Sequence, residues 1–232
     1  MISINRQQRR LLNIAQQLRR PVTAYAVGGT AMMFRGLKEA TLDIDLVFKD
    51  AASKDAFRKA AEALGYRKMD AINIYGAKNN IPDMLTLGDE RFDLFVMDVI
   101  DFIFSDTMQS RAQDTHQFGD KLILKIANPH DLILMKCATD RLKYKDDTRQ
   151  IILNTTINWD TIIGEAQNQV KLGRHDAIFC LGELLEDIKK DLKEKIPDAV
   201  IEKLWTLVEQ QAHEKIRQRR QSDRERSHIH KA

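Results

Sequence analysis

Nowhere does the chain stay apolar for the roughly 20 residues that a helix needs to cross a bilayer. Its opening stretch, MISINRQQRRLLNIAQQLRR, also lacks the apolar segment of a secretory signal. Together these predict a cytoplasmic protein with no membrane partner. Cysteine is scarce: Cys137 and Cys180 are the only two, with no CxxC and no nearby Cys/His spacing. That pattern excludes a disulfide framework or a thiolate metal site and leaves packing thiols. With 4 prolines and 10 glycines in 232 residues, neither a low-complexity linker nor a loop-rich all-β design is in view. There is no GxGxxG opening a helix and no GxxxxGK[ST], so a Rossmann dinucleotide site and a P-loop are poor readings. What is present, 43% hydrophobic and 31% charged residues, describes an ordinary globular chain in which helices predominate.

Acidic residues are few at the two ends. Residues 215–232 carry seven Lys and Arg against Asp223 and Glu225, a charge of +5 within a chain whose total is +3. Residues 1–24 add Arg6, Arg9, Arg10, Arg19 and Arg20 with no acid. Two basic ends suit a polyanion such as RNA; a solvated helix end explains the tail equally well.

Apolar spacing predicts a helix over residues 5–19, ended by Pro21, then an extended run from Thr23 to Val27. Gly28-Gly29-Thr30 reads as a turn before a short helix that stops at Gly36. Thr41 to Phe48 reads as a strand, and Lys54 to Leu64 as a helix capped by Ser53 and stopped at Gly65. Extended segments follow at 84–87, 91–99 and 121–126, and Asn128-Pro129 opens a helix from His130 to Tyr144. Only helical pattern follows. The fold class is therefore α/β, a mixed sheet flanked by helices with a C-terminal helical appendage. A core over residues 1–150 and a helical region over 151–232 are the expected domains.

The stretch TLDIDLVF places two carboxylates two residues apart in an apolar run. On a strand, Asp43 and Asp45 share one face while Ile44 and Leu46 share the other. Two carboxylates ~4 Å apart repel by ~4 kcal/mol at an effective dielectric near 20, so something positive should lie between them. A divalent cation with oxygen ligands is the economical answer, and Asp93, in the alternating run RFDLFV, offers a third ligand. An exposed polar strand face is the plainer explanation of a lone Asp-x-Asp. The Gly-Gly turn tips the balance, because glycine allows close backbone approach and a helix start offers N–H groups to phosphate.

These motifs, in order, resemble the nucleotidyltransferase superfamily that includes DNA polymerase beta. They resemble most its small prokaryotic branch with the AbiEii-type toxins. The residues that carry the likeness are Val27-Gly28-Gly29-Thr30-Ala31, Thr41-Leu42-Asp43-Ile44-Asp45 and Asp131-Leu132-Ile133-Leu134-Met135-Lys136, within residues 20–150. The resemblance implies two Mg²⁺ ions on Asp43, Asp45 and Asp93. Asp93 would serve the nucleophile and take the hydroxyl proton, and an NTP would be held by Gly28, Gly29, Thr30, Lys136 and Lys145. Asp140-Arg141-Leu142-Lys143-Tyr144-Lys145-Asp146-Asp147 resembles the charged ending of the corresponding helix. One departure stands out: Glu39 occupies a position where relatives often carry Arg, with Arg35 and Lys38 as candidate substitutes.

The expected activity is transfer of a nucleoside monophosphate from an NTP to an acceptor hydroxyl. RNA such as tRNA is one candidate acceptor and a protein hydroxyl or a small molecule another; a toxin–antitoxin system would supply an antitoxin-like protein partner. Two alternatives stay open: a catalytically silent nucleic-acid or partner-binding module, and a phosphotransferase acting on a protein or small molecule.

Overall fold

The computed structural model describes residues 1–76, 80–137, 142–192 and 195–229, with side chains beyond 217 left undescribed. Most side chains of the basic tail therefore lie outside the description, as do Asp140 and Arg141 of the charged helix ending altogether. Two compact units divide the chain, Met1–Ala177 and Ile178–Ala232.

The first unit begins with β1 (Ile2–Ser3), α1 (Ile4–Gln17), β2 (Val22–Ala26), α2 (Gly28–Phe34), β3 (Ala40–Thr41) and β4 (Ile44–Phe48). It continues through α3 (Ala51–Ala63), β5 (Arg67–Met69), α4 (Ile72–Tyr75), β6 (Asp83–Leu87), β7 (Glu90–Val96), β8 (Asp98–Val99) and β9 (Phe102–Ile103). It closes with α5 (Asp106–Arg111), β10 (Thr115–Phe118), β11 (Leu122–Ile126), α6 (Pro129–Lys136), α7 (Leu142–Asn154) and α8 (Trp159–Lys171). The main sheet runs β10-β11-β2-β4-β7-β6-β5. It is mixed: β11 is parallel to β2 and β4 is parallel to β7, while the other neighbours along that path are antiparallel. The expected mixed α/β architecture with C-terminal helices is what the chain adopts.

Alternation along the central strands sorts their side chains. Ile44, Leu46, Phe48, Phe92 and Leu94 are buried on one face. There Phe57 of α3 meets Phe48 and Phe92 with ring centroids 5.4 and 5.6 Å apart. Each such fully buried side chain contributes about 1.5–3 kcal/mol. The other face carries Asp45 and Asp93, which the parallel register of β4 and β7 sets directly side by side.

Several boundaries differ from the sequence reading. Strand β4 starts at Ile44, so Asp43 lies in the bend just ahead of it. The glycines do not precede the short helix; α2 starts at Gly28 itself. Asp50, not Ser53, caps α3, its carboxylate accepting from the Ser53 N–H at 2.7 Å. The predicted helix from 130 to 144 is two helices, α6 and α7, which separates Lys136 from Lys143 and Lys145.

In the second unit, α9 (Ala177–Lys189) and α10 (Asp198–Ile229) are joined through Phe179 and Trp205, whose rings meet edge-on at 5.7 Å. Gly182 lies beneath the Trp205 indole, where even an added Cβ would be in ordinary van der Waals contact at 3.5 Å. No helix among the described residues is long and apolar enough to cross a membrane.

Candidate active site

Asp45 and Asp93 come together by strand register, and Asp43 joins them from the bend at the start of β4. One carboxylate oxygen from each lies within 4.8 Å of the others. Asp93 is fully buried, Asp43 nearly so and Asp45 half-buried. The strand geometry inferred from TLDIDLVF thus holds for Asp45 and Asp93, while a bend rather than alternation delivers Asp43.

Close backbone approach is built into this corner. The Thr30 hydroxyl is buried, accepts from the Asp45 N–H at 2.9 Å and reaches the Asp43 carbonyl at 3.5 Å. It fixes the Asp-x-Asp backbone instead of facing the cleft. Gly28 has φ +55°, and a Cβ on it would come within 2.5 Å of Asp45 Oδ2. A Cβ on Gly29 would lie 2.5 Å from Thr41 Oγ1. The glycines let α2 seat directly against the carboxylates.

Positive charge is in short supply around them. Arg91, on the same strand as Asp93, pairs with Asp43 and places its Nε 3.0 Å from Asp93 Oδ1. Those last two atoms are buried and not aligned for a hydrogen bond, so each lacks a hydrogen-bond partner. The Tyr75 hydroxyl donates to Asp93 Oδ2 at 2.5 Å. Burial, which outweighs the nearby Arg91, pushes the Asp93 carboxyl up to about 6. Asp45 is held well above the ordinary carboxylate range by burial first and by Asp43 and Asp93 next. Its carboxylate makes no hydrogen bond or ion pair among the described residues. An acidic cluster with one guanidinium and an orphaned buried oxygen on Asp93 fits a hard divalent cation.

A polar cleft of about 360 Å³ opens beside the cluster, lined by Gly28, Gly29, Lys38, Lys136, Lys143 and Tyr144 among others. Two of its lysines are held in place by Asp147. Buried Lys136 gives its ammonium to Asp147 Oδ2 at 2.5 Å, and Lys38 reaches the other oxygen of Asp147 at 2.5 Å. Burial lowers the Lys136 pKa against the pull of Asp147. The Lys136 Nζ also sits 4.5 Å from the centroid of the Tyr144 ring. Lys145, expected at the nucleotide, lines neither this cleft nor its neighbour; Lys143 lines this one. Of the two substitutes for the missing Arg, Lys38 faces the cleft. Arg35 instead donates to the carbonyls of Ala127 and Ile126 at 2.9 and 3.2 Å.

A second, largely apolar cleft of about 570 Å³, open to solvent, adjoins the first and shares Gly28, Asp45, Tyr75, Lys136 and Tyr144 with it. Phe95, Val99, Ile100, Leu132 and Met135 supply its apolar wall. The turn after β7 places two of them by holding Met97 and Ile100 at φ +55° and +56°. A β-branched residue there is strained by about 1–2 kcal/mol, and nothing in the sequence marks it. Sequence reasoning likewise misses Arg91, Tyr75 and Asp147 as parts of the site. Asp147 has a signal, because it ends the charged run that resembles the family pattern.

Asp131, which opens the motif ending in Lys136, does not reach the site. It is buried against Arg111, whose Nη2 lies 2.6 Å from its Oδ1 and 2.5 Å from Glu165 Oε2.

No protein-family model matches the chain, and no curated protein matches it either. Two solved structures of ANT(2″)-Ia are similar to it. One, in complex with adenylyl-2″-tobramycin, is 16% identical over 77% of this chain and 95% of that chain, with a TM-score of 0.43. The other, a solution structure of that antibiotic-resistance factor, is 16% identical over 89% and 95%, with a TM-score of 0.40. A likeness of this degree carries nothing about activity, and the function is read from the site's own residues.

Proposed function

We propose that the chain is a metal-dependent nucleotidyltransferase whose active site is the Asp43–Asp45–Asp93 cluster, within the 1–150 core. The observation that carries this is the convergence of three carboxylates, sharing one guanidinium, on a cleft whose wall includes Lys38 and Lys136, both fixed by Asp147. Divalent cations bound there would neutralise a triphosphate and acidify an acceptor hydroxyl. Asp43, Asp45 and Asp93 would hold them, with Asp93 on the acceptor side, where it would also take the hydroxyl proton. Lys136 and Lys38, already oriented by Asp147, meet the phosphate oxygens, and Lys143 extends that wall. Gly28 and Gly29 keep the floor of the cleft free of side chains. The apolar cleft receives the base or the body of the acceptor and excludes water there.

A toxin-type role, with an RNA acceptor and an antitoxin-like partner, rests on motif order and on the basic ends. At the N-terminus two of the five arginines are already engaged: Arg6 and Arg10 both bond Glu90 Oε1 at 2.7 Å, and Arg6 also pairs with Asp89. The RNA reading therefore leans on Arg9, Arg19, Arg20 and the tail.

The test is incubation of the full chain with Mg²⁺, RNA, protein or small hydroxyl compounds, and NTPs labelled at the α or the γ phosphate. Transfer of α label with release of pyrophosphate, lost in Asp43→Asn, supports the reading. Transfer of γ label makes the chain a phosphotransferase. No nucleotide or metal binding at all would sink the assignment.

A further inference from the structure

Among the described residues, Thr30, Thr41 and Tyr75 bring hydroxyls to the carboxylate cluster, and their surroundings differ. Thr30 is buried and engaged with the backbone of Asp43 and Asp45. Thr41 is buried beneath Gly29 and donates to Asp43 Oδ1 at 3.3 Å. Tyr75 alone of the three faces Asp93, with its hydroxyl 2.5 Å from Oδ2, and its side chain lines both clefts. It stands on α4, a helix of 4 residues, and is half-buried. An oxygen donating its proton to the acceptor-side carboxylate, next to the space proposed for a triphosphate, occupies the place of an acceptor hydroxyl.

We propose that Tyr75 is itself an acceptor, so that the chain attaches one nucleoside monophosphate to its own Tyr75. This rests on the nucleotidyl-transfer reading above. In the step, Tyr75 Oη forms a bond to the α-phosphorus of an NTP. The bond from that phosphorus to the oxygen bridging to the β-phosphate breaks, and pyrophosphate leaves with its electron pair. The phenolic proton passes to Asp93 Oδ2. The product is a phosphodiester between tyrosine and nucleoside.

Two consequences follow from the geometry. The modified tyrosine no longer has a proton to give Asp93, so the contact that closes the acceptor side in the free chain is lost. Its attached nucleotide lies in the clefts that Tyr75 lines, which bars a second NTP. Modification therefore stops at one per chain and turns off transfer to any outside acceptor.

The experiment uses the full chain with Mg²⁺ and each NTP in turn, labelled at the α or the γ phosphate and with no added acceptor. The products are denatured for intact mass and peptide mapping, and nucleotide binding is measured in parallel with a fluorescent NTP analogue. The expected result is a mass increase of one nucleoside monophosphate per chain, mapped to Tyr75. It should carry α label only and be absent from Asp43→Asn and Tyr75→Phe. Bound NTP with Tyr75 unmodified, or label on another residue, overturns the proposal alone. γ label on Tyr75 overturns it in favour of phosphate transfer. Failure to bind NTP with Mg²⁺ overturns both the proposal and the reading beneath it. Because the modified residue is mapped on the unaltered chain, the outcome does not depend on how Tyr75→Phe folds.

Discussion

Two clusters of buried acids sit in the same unit and are treated in opposite ways. Around Arg111, the carboxylates of Asp131 and Glu165 are saturated. Glu165 accepts from Ser105, Thr107, Asn168, Gln169 and Arg111 at 2.5–3.1 Å, tying α5 and α6 to α8. Around Arg91, three carboxylates share one guanidinium, Asp93 Oδ1 is orphaned and Asp45 has no side-chain partner among the described residues. Ion pairing that ends in full hydrogen bonding is structural. Acids crowded together without enough donors store repulsion that a bound cation relieves, which is where chemistry is expected. That contrast separates Asp131 from Asp43 although both stand in motifs that resemble the family.

The contrast breaks most clearly in activity. Asp43→Asn is predicted to lower transfer by at least about 10⁴-fold, since the residues of such a site act as a unit. Its urea unfolding midpoint should change little, because the repulsion relieved at Asp45 and Asp93 offsets the pair lost with Arg91. Steady-state rates beside a denaturant titration check both halves; an inactive variant that is also unfolded would count against the assignment. The reverse pattern is predicted at the saturated cluster. Arg111→Ala leaves Asp131 and Glu165 buried without their cation and should cost about 3–5 kcal/mol of stability. The fraction still folded should keep its affinity for NTP, as measured in dilute urea.

Much of this was legible in the sequence, and the losses are physical. Period-two alternation exposed Asp45 and Asp93 because strands β4 and β7 put apolar residues against α3, leaving the acids on the other face. Asp43 followed only because a bend lands where a strand would have continued. Thr30 shows the limit of local pattern: a hydroxyl beside Gly-Gly suggests a phosphate ligand, whereas its bonds to Asp43 and Asp45 depend on a contact between α2 and β4 that no short motif reveals. Arg91 and Tyr75 were invisible for the same reason. A lone Arg or Tyr has no period, and only the pairing of distant segments brings it to a carboxylate.

Between the two extremes lies the Lys38–Asp147–Lys136 group, which is balanced yet faces the cleft. Lys136→Met is predicted to raise the NTP concentration needed for half-maximal rate by about 10–100-fold, equivalent to ~1.4–2.7 kcal/mol of lost phosphate binding. The maximal rate should fall far less than in Asp43→Asn. Initial rates over a range of NTP concentration separate the two, and an unchanged half-saturation value would remove Lys136 from the phosphate wall.

The smallest effect expected is on the pH dependence of stability, and it reads the stored repulsion directly. With metal removed by EDTA, the Asp93 carboxyl titrates at about 6 in the folded chain because burial disfavours its charge. In the unfolded chain it titrates near 3.9. Between these values the folded state binds the extra proton, so stability rises as pH falls through 6. The group's penalty is fully present above that pH and fully relieved only below the unfolded value. From pH 7.5 to 5.0 the gain from this one group is about 1 kcal/mol. Glu90 and Glu165 are held below their ordinary range and weaken the fold only at still lower pH, whereas burial raises Asp45 and Asp131 as it does Asp93, so the comparison with Asp93→Asn, and not the pH response of the chain alone, reads this group. Urea titrations of the metal-free chain and of Asp93→Asn at both pH values isolate the term. The first should gain stability relative to the second on acidification, and saturating Mg²⁺ should abolish the difference. Equal pH responses would show that Arg91 and Tyr75 already satisfy Asp93, and that this cluster is no less settled than the one around Arg111.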